Sequence, residues 1–474
     1  MQYLLRFVNK GRKMMNLNKP QKGQALLILA FGMISLIAMI ALVIDGGNIY
    51  SERRHAQNAA DTASLAASLE KSDDMDSKGV VLDDGDTINW ETAGLNIANK
   101  NGYNNNGITN SVEITNPPGI DCSGQVNSQF TSDEYIQVVI HITVDTYFAR
   151  VIGRNNLESC VVAVTHIKPP APSQNIQGNA IVALAPHECP GVKYNGQATT
   201  TLTGGGLFVN SDCESGSMAF MSQAHHAQLV APSLTVVGAI KDSNNSLDIG
   251  TICSNDPTCA TQSLYPPTFQ MPDPAKDCGD RGTNYAVIDG NTLRPATGKW
   301  ASNWDISKSP KFPPSGVTYI QPGLYCIYMD NSGFNIQAND TLTGYGVTFA
   351  VMTGSVTWNG GNGISLHAPV APSDCLPTDP RSACHYKYNG LLLFLPMTNP
   401  SPIVWNGNLS WDITGTVLAP ASNITINGTE DGFSLHTAII GYTVDLVGSA
   451  ISSIVYDDSL NYYFVENPQL QLTK

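Results

Sequence analysis

The sequence predicts three structural parts: a single N-terminal transmembrane helix, a small α/β membrane-proximal unit, and a mainly-β domain. Three observations predict this fold class. Residues 25–44 form an uncharged, mostly apolar run, and a polar, alanine-rich segment follows it directly. Residues 178–474 are low in charge and alternate Gly, Asn, Thr and Ser with short apolar runs. We expect a right-handed parallel β-helix for this last part, with a β-sandwich as the alternative.

The first element is a transmembrane helix over residues 23–45. Twenty residues that rise 1.5 Å each span about 30 Å, which is the thickness of the hydrocarbon core of a bilayer. A cleaved signal peptide is the alternative, but its apolar core is normally about 7–15 residues long. The sequence Leu42-Val43-Ile44-Asp45 is also a poor cleavage site, because it lacks the small residues that signal peptidase requires. We therefore expect the helix to be retained as an anchor.

The charge distribution predicts the orientation of this anchor. Residues 1–22 contain no acid and six basic residues, namely Arg6, Lys10, Arg12, Lys13, Lys19 and Lys22. The whole chain has a formal net charge of −14, so the remaining residues carry −20. Basic flanks stay in the cytoplasm, which predicts a basic cytoplasmic tail and an extracytoplasmic C-terminal part in the cell membrane. The strong negative charge of that part argues against nucleic-acid binding.

A stem helix is expected next, over residues 46–70. Alanines recur there at steps of three and four residues, which places them on one helix face as a packing stripe. The stripe consists of Ala56, Ala59, Ala60, Ala63, Ala66 and Ala67. Small side chains allow another backbone to approach closely, either from the following domain or from a second helix. The alternative is an ordinary Ala-rich helix whose composition reflects helix propensity alone.

A small α/β unit is predicted over residues 71–168. It begins with an acidic loop, followed by a helix that ends near Gly102. The runs 136–144 and 161–167 are rich in Val and Ile, and the first alternates for most of its length, which is typical of a half-buried strand. Residues 169–177 contain several prolines and are expected to form an extended linker.

The predicted β-rich domain covers residues 178–474 and contains an internal sequence similarity. The stretch Leu202–Val209 resembles Leu342–Phe349. Turn-plus-strand units begin near Gly346, Gly390, Gly415 and Gly441, at spacings of 44, 25 and 26 residues. Coils of about 22–26 residues, with one unmarked coil in the first gap, are typical of a parallel β-helix.

All ten cysteines follow the predicted anchor, and none lies in the cytoplasmic tail. An even number in a translocated chain favours disulfides, and we expect sequential pairing. The expected pairs are Cys122–Cys160, Cys189–Cys213, Cys253–Cys259, Cys278–Cys326 and Cys375–Cys384. Zinc binding at Cys189, Cys384, His187 and His385 is the competing idea, but the chain has no C-x-x-C motif and its histidines are scattered.

The segment around the anchor resembles a known family. The start Gly23-Gln24-Ala25-Leu26, the stretch Ala41–Tyr50 and the stretch Arg53–Ala67 together resemble the TadG-like N-terminal module of bacterial Flp (tight-adherence) pilus-assembly proteins. The resemblance covers about residues 22–70 and implies a membrane protein with a structural role near pilus machinery. Many members also carry a von Willebrand A-like domain with an Asp-x-Ser-x-Ser metal site. The nearest string here, Asp330-Asn331-Ser332-Gly333-Phe334, lacks the second serine, so we expect no such domain.

These observations favour a structural role. We expect a membrane-anchored protein of Flp-type pilus assembly or surface adhesion, with other pilus-assembly or envelope proteins as partners and surface glycans as further ligands. The alternative is a membrane-tethered, carbohydrate-active β-helix enzyme. Its acids would have to come from Asp242, Asp248, Asp305, Asp412, Glu430 and Asp431, which are scattered and mostly in turn-like contexts. We therefore predict no enzymatic activity, no cofactor and no metal site.

Overall fold

A computed structural model describes residues 24–73, 90–126, 128–168, 176–216, 218–269, 271–360, 363–372, 387–407, 411–428, 433–448, 452–464 and 469–473. These residues form two compact units. The first unit contains 24–70, 90–167 and 470–473, and the second contains 71–73 and the described part of 168–469.

The N-terminal helix α1 (Gln24–Asp73) is continuous and covers both the predicted transmembrane helix and the predicted stem. Its 50 residues have a length of about 75 Å, more than twice the thickness of a bilayer core. The apolar side chains before Asp45 are largely exposed, whereas the alanine-rich part buries one face. Among the described residues, α1 is the one helix that is long and apolar enough to cross a membrane.

The first unit packs α1 and a second helix against a four-stranded sheet. Its other elements are α2 (Trp90–Lys100), β1 (Asn110–Thr115), β2 (Tyr135–Asp145), a 3₁₀ helix (Ala149–Ile152), β3 (Asn156–Lys168) and β27 (Gln469–Leu472). The strand order is β1-β2-β3-β27, and the β1–β2 and β2–β3 pairs are antiparallel. Strands β2 and β3 contain the two Val- and Ile-rich runs and form the core of this unit, and β2 is buried on both faces from Ile136 to Ile140.

The C-terminal boundary predicted from the sequence is wrong at one point. The predicted β-rich domain extended to residue 474, but residues 470–473 belong to the first unit. The Thr473 N–H donates to the Val164 carbonyl at 2.8 Å, which ties the end of the chain to β3. A strand of four residues is too short to show a recognisable alternation of apolar and polar residues. Strand β27 could therefore be identified only from its pairing with β3.

In its described residues after position 168, the second unit is mainly β with one short helix, α3 (Pro274–Cys278). Its strands are β4 (Asn179–Ala183), β5 (Val192–Gly196), β6 (Thr200–Thr203), β7 (Gly206–Val209), β8 (Phe220–Ser222), β9 (Leu229–Val236), β10 (Ile240–Asp242), β11 (Leu247–Ser254), β12 (Val287–Asp289), β13 (Thr292–Arg294), β14 (Ala301–Asp305), β15 (Tyr319–Ile320), β16 (Gly323–Ile336), β17 (Leu342–Tyr345), β18 (Val347–Asn359), β19 (Ile364–His367), β20 (Leu391–Phe394), β21 (Ile403–Gly407), β22 (Trp411–Thr414), β23 (Thr416–Gly428), β24 (Phe433–His436), β25 (Ile439–Gly448) and β26 (Ser452–Val455).

The sheet of the second unit is mixed, because β12 and β13 pair antiparallel, whereas its other described pairings are parallel. Parallel pairing in register places equivalent side chains in rows. One inward row runs through Ile336, Trp358, Trp405, Ile426 and Leu446, each paired with the next. All five side chains are buried, so the rows form a continuous apolar core.

The layers of strands do not follow the order of the chain. Strands β4, β5 and β6, which come first in this unit, pair on one side with β7, β8 and β9. On the other side they pair with β25 and β26, the last two strands of this unit. The first layer therefore lies between the second layer and the last one.

The expected unmarked coil between Gly346 and Gly390 is not found. Strand β18 pairs directly with β20 and β21, so consecutive layers follow each other across this gap. The extra length belongs to β19 and to residues 368–390, of which 373–386 lie outside the described part. The two similar stretches each contain two strands joined at a glycine with a positive φ, namely Gly204 between β6 and β7 (78°) and Gly346 between β17 and β18 (68°), but these two glycines are not at equivalent positions of the similarity.

A second apolar cluster covers the outside of one sheet. Its row through Cys326, Ala350, Phe394, Leu418 and Ile440 continues into the first layers. Residues 255–278, which we call the strap, connect β11 to the end of α3 and contribute Phe269 and Cys278 to this cluster. This row lies on the outer face of the sheet, where its apolar side chains would otherwise contact water. The strap covers them and so removes apolar surface from water.

Four disulfides join the cysteines of the described residues in sequence order. They are Cys122–Cys160 in the first unit, and Cys189–Cys213, Cys253–Cys259 and Cys278–Cys326 in the second. The expected fifth pair, Cys375–Cys384, lies outside the described residues.

Candidate functional site

The buried carboxylate of Asp45 connects α1 to the loop after β2. Its oxygens accept hydrogen bonds from the backbone N–H groups of Tyr147 at 2.8 Å, Phe148 at 3.1 Å and Ala149 at 2.7 Å. Asp45 is only 6% exposed. It therefore acts as an N-terminal cap, supplied by a distant residue, for the 3₁₀ helix that begins at Ala149. The residue that ends the apolar run thus fixes the loop of the folded unit beside it.

The packing stripe of α1 lies in the interior of the first unit. Ala56, Ala59, Ala60, Ala63 and Ala67 are buried, whereas Ala66 is half-buried at the edge of this face. On the same face, the Gln57 amide donates to the Val162 carbonyl of β3 at 3.0 Å. One side of the stem therefore contacts the sheet.

Helix α2 approaches the stripe closely at Gly94. A Cβ added at Gly94 would lie 3.2 Å from the carbonyl oxygen of Ala63, 3.2 Å from Cβ of Ala67 and 2.5 Å from Cδ1 of Ile114. Near the end of α2, the Tyr103 hydroxyl lies 3.0 Å from Nδ1 of His55. Burial and the nearby Glu52 raise the pKa of Tyr103 to about 12, so its hydroxyl stays protonated at physiological pH.

Asp45→Ala is expected to release the loop at residues 147–149. The substitution removes the acceptor for three N–H groups, and hydrogen bonds to charged groups contribute about 1.5–3 kcal/mol each to stability. We expect the amide exchange of residues 147–149 to accelerate by at least tenfold, measured by hydrogen–deuterium exchange. Asp61→Ala, which removes a carboxylate that accepts a hydrogen bond from Gln57 on the same helix, is the control and should leave these amides unchanged. Unchanged protection in Asp45→Ala would contradict the capping role.

Ala63→Leu is expected to destabilise the first unit by about 1–3 kcal/mol, because Ala63 is fully buried where α2 approaches α1 and the larger side chain would overpack this face. The matched control is Ala66→Leu, since Ala66 is half-buried on the same helix and the two changes have equal helix propensities. The difference in stability between the two variants is measured by thermal unfolding of the detergent-solubilised chain, with amide exchange in α2 as the local readout. Equal stabilities of the two variants would refute close packing at the stripe.

A Ser–His–Asp cluster on the second unit has the wrong geometry for nucleophilic catalysis. The Nε2 atom of His367 lies 2.8 Å from Asp412 and 3.3 Å from the Ser365 hydroxyl. A relay requires the two partners on opposite ring nitrogens, whereas here one nitrogen contacts both. The cluster joins polar side chains of the neighbouring strands β19 and β22.

Other candidate acids have structural partners. Asp242 accepts hydrogen bonds from the N–H groups of Ser246 and Leu247, which closes its own turn. Asp305 is paired with Arg281, which also binds Asp330 with two hydrogen bonds, at 2.7 and 3.0 Å. Glu430 and Asp431 lie outside the described residues. Within the ranges that the structure describes, no group of three or more His, Cys, Asp and Glu residues could hold a metal ion.

The Arg281 cluster predicts an acid-dependent contribution to stability. Hydrogen bonds from Arg281 hold the pKa values of Asp305 and Asp330 below their usual range. The contribution is therefore present above the unfolded-state pKa of about 4 and is lost as the pH falls through the lower folded-state values. Arg281→Gln should destabilise the second unit at pH 7 and much less at pH 2, measured by urea unfolding. A difference that does not change with pH would contradict this.

The sequence indicated the stripe but not Asp45 or Gly94 as packing residues. An acid directly after an apolar run was the available signal for Asp45, whereas the partner loop 147–149 carries no signal of its own.

Comparison with known proteins gives one match. Residues 23–69 match the Tad family model, described as "Putative Flp pilus-assembly TadE/G-like". No curated protein and no solved structure matches the chain. The matched segment corresponds to most of α1 and includes both Asp45 and the stripe.

Proposed function

We propose that this chain is a membrane-anchored structural protein of Flp-type pilus assembly or surface adhesion, which holds a β-rich domain outside the cytoplasm. The single observation that carries the proposal is the construction of α1. Its first part is apolar and exposed, its second part packs into a folded unit, and residues 23–69 match a pilus-assembly family model. A helix of this kind joins a bilayer rigidly to a folded unit.

The orientation follows from charge. The six basic residues before the helix favour a cytoplasmic N-terminus, and the four disulfides favour an oxidising compartment for the rest.

The proposed architecture of the second unit is a right-handed parallel β-helix. Its support is the parallel, in-register pairing of successive layers and the inward rows of apolar side chains. Outward ladders such as Asn359, Asn406 and Asn427, linked by hydrogen bonds of 2.7 and 2.8 Å, provide flat polar surfaces for envelope proteins or glycans.

The test uses the source cells. We expect the full chain to resist carbonate extraction from membranes, and its second unit to be digested by protease added to cells stripped of any outer barrier. Deleting the gene should abolish Flp-type pili or surface attachment, and the full-length gene should restore them. The matched control is the Ala66→Leu gene, which should also restore them. Extraction by carbonate, or normal pili and attachment after deletion, would refute the proposal.

A further inference from the structure

The end of the first unit next to Asp45 carries an unusual concentration of exposed apolar side chains. Val151 is 85% exposed, Ile108 is 80% exposed and Tyr147 is 67% exposed, and Phe148 is exposed beside them. Single exposed apolar residues are normal on a protein surface, but a group at one end marks an interaction surface.

Strand directions place these residues together. Strand β2 ends at Asp145, two positions before Tyr147, and β3 begins at Asn156, two positions after Arg154. Strand β1 begins at the same end, since Asn110 pairs with Ile142 and the Thr143 N–H donates to the Thr109 carbonyl at 2.8 Å. Ile108 and the loop 147–152 therefore lie at one end of the sheet.

The position of this end along α1 is fixed by Asp45. The N–H groups of Tyr147, Phe148 and Ala149 bind its carboxylate, and the uncharged run of the helix ends at the preceding residue, Ile44. In a chain whose residues 25–44 cross the hydrocarbon, the loop lies at the level where the helix leaves it.

The chemistry of the loop fits that level. Between Tyr147 and Arg154 the loop contains two aromatic residues, and its charges are the two exposed arginines, Arg150 and Arg154. Aromatic rings are enriched at the interface between water and lipid, and arginine interacts favourably with anionic headgroups. The acids at this end, Asp145 and Glu158, lie on the strands and not in the loop.

We propose that the loop 147–152, together with Ile108, inserts into the headgroup region of the same bilayer that α1 crosses. The unit then contacts the membrane at two places, the helix and this apolar end, and Asp45 holds the two together. This inference rests on the membrane anchoring proposed above. The occupant of the apolar surface is lipid, because the surface continues the apolar side of the helix at its exit point.

The test measures lipid contact in the full chain. Val151→Trp and Val126→Trp are reconstituted separately in vesicles of phosphatidylethanolamine and phosphatidylglycerol with brominated acyl chains. Both valines are exposed in the same unit, but Val126 pairs with Ile120, whose carbonyl contacts Gln137 near the opposite end of the sheet. The six native tryptophans give both variants the same background.

We expect bromine to reduce the added fluorescence of Val151→Trp by about twofold and to leave that of Val126→Trp unchanged, because interfacial side chains reach about 5–10 Å into the lipid. Flotation after carbonate treatment is measured on the same vesicles. If the chain floats but Val151→Trp is not quenched, the inference is wrong and the anchoring stands. Equal quenching of both variants also overturns it, since the whole unit would then lie on the bilayer.

Two further outcomes are informative. A chain that does not float refutes the anchoring and the inference together. A spectral shift of Val151→Trp that depends on the protein concentration in the vesicle, and not on bromine, identifies a second protein chain as the occupant and overturns the lipid assignment.

Discussion

Trp358→Ala is expected to destabilise the second unit by about 3–5 kcal/mol, because it removes a whole indole ring from the core. Trp358 is fully buried and stacks on Trp405 with ring centroids 5.0 Å apart and planes within 8°. Phe334 and Trp411 contact it edge-on, at 5.2 and 6.3 Å. Alanine would leave a cavity between three layers, because parallel backbones fixed in register cannot close around it.

Urea unfolding of the detergent-solubilised chain, followed by tryptophan fluorescence, measures this loss. Trp300→Ala is the control, because Trp300 is 44% exposed and contacts Tyr388 at a ring-centroid distance of 6.1 Å, so its removal should cost clearly less than removal of the fully buried Trp358. Trp358→Phe gives a graded variant. Among the described residues, the Trp358 indole N–H has no hydrogen-bond partner, so phenylalanine loses volume but no hydrogen bond. A loss below about 1 kcal/mol in Trp358→Ala would refute the tightly packed row.

Removing the Cys278–Cys326 disulfide by Cys278→Ala with Cys326→Ala is expected to cost about 4 kcal/mol. The bond joins residues 48 positions apart, and the entropy lost by the unfolded chain grows with the length of the closed loop. Both cysteines are fully buried in the outer apolar cluster. Loss of the bond should therefore also loosen the end of the strap.

The matched control is Cys253→Ala with Cys259→Ala. That disulfide joins cysteines only six positions apart and closes a short loop, so its removal should lower the free energy of unfolding by about 2 kcal/mol. Urea unfolding under non-reducing conditions gives the two values, and limited proteolysis within 255–278 reports on the strap. The strap also has noncovalent contacts, including Ser263 with Asn210 in its middle and Asp277 with Lys387 beside Cys278, so loss of the disulfide should loosen the strap without releasing it. Equal losses in the two double variants would contradict the loop-length argument.

The sequence was sufficient for the local elements. The uncharged run predicted the apolar part of α1, and the Val- and Ile-rich runs predicted β2 and β3, because periodicity is a local property. Alanine spacing also indicated which face of the stem becomes buried. The glycine spacing predicted layered strands, although it miscounted the layers between Gly346 and Gly390.

Long-range pairing could not be predicted. The inward rows consist of interchangeable Ile, Val, Leu, Phe and Trp side chains, so nothing in Val444 indicates that its partner is Val192, about 250 positions earlier in the chain. The contact between Asp45 and the loop 147–149 was hidden for a related reason. The carboxylate is bound by backbone N–H groups. Every non-proline residue has a backbone N–H group, so the sequence of the loop does not identify it as the partner.

The return of the chain end to the first unit has a consequence during synthesis. Strand β3 keeps one edge open until residues 469–473 leave the ribosome, because β27 is its partner there. Translation at about 5–20 residues per second delays that moment by roughly 15–60 seconds after β3 emerges. Throughout this interval β3 presents an unpaired edge, to which a chaperone or a neighbouring nascent chain can bind.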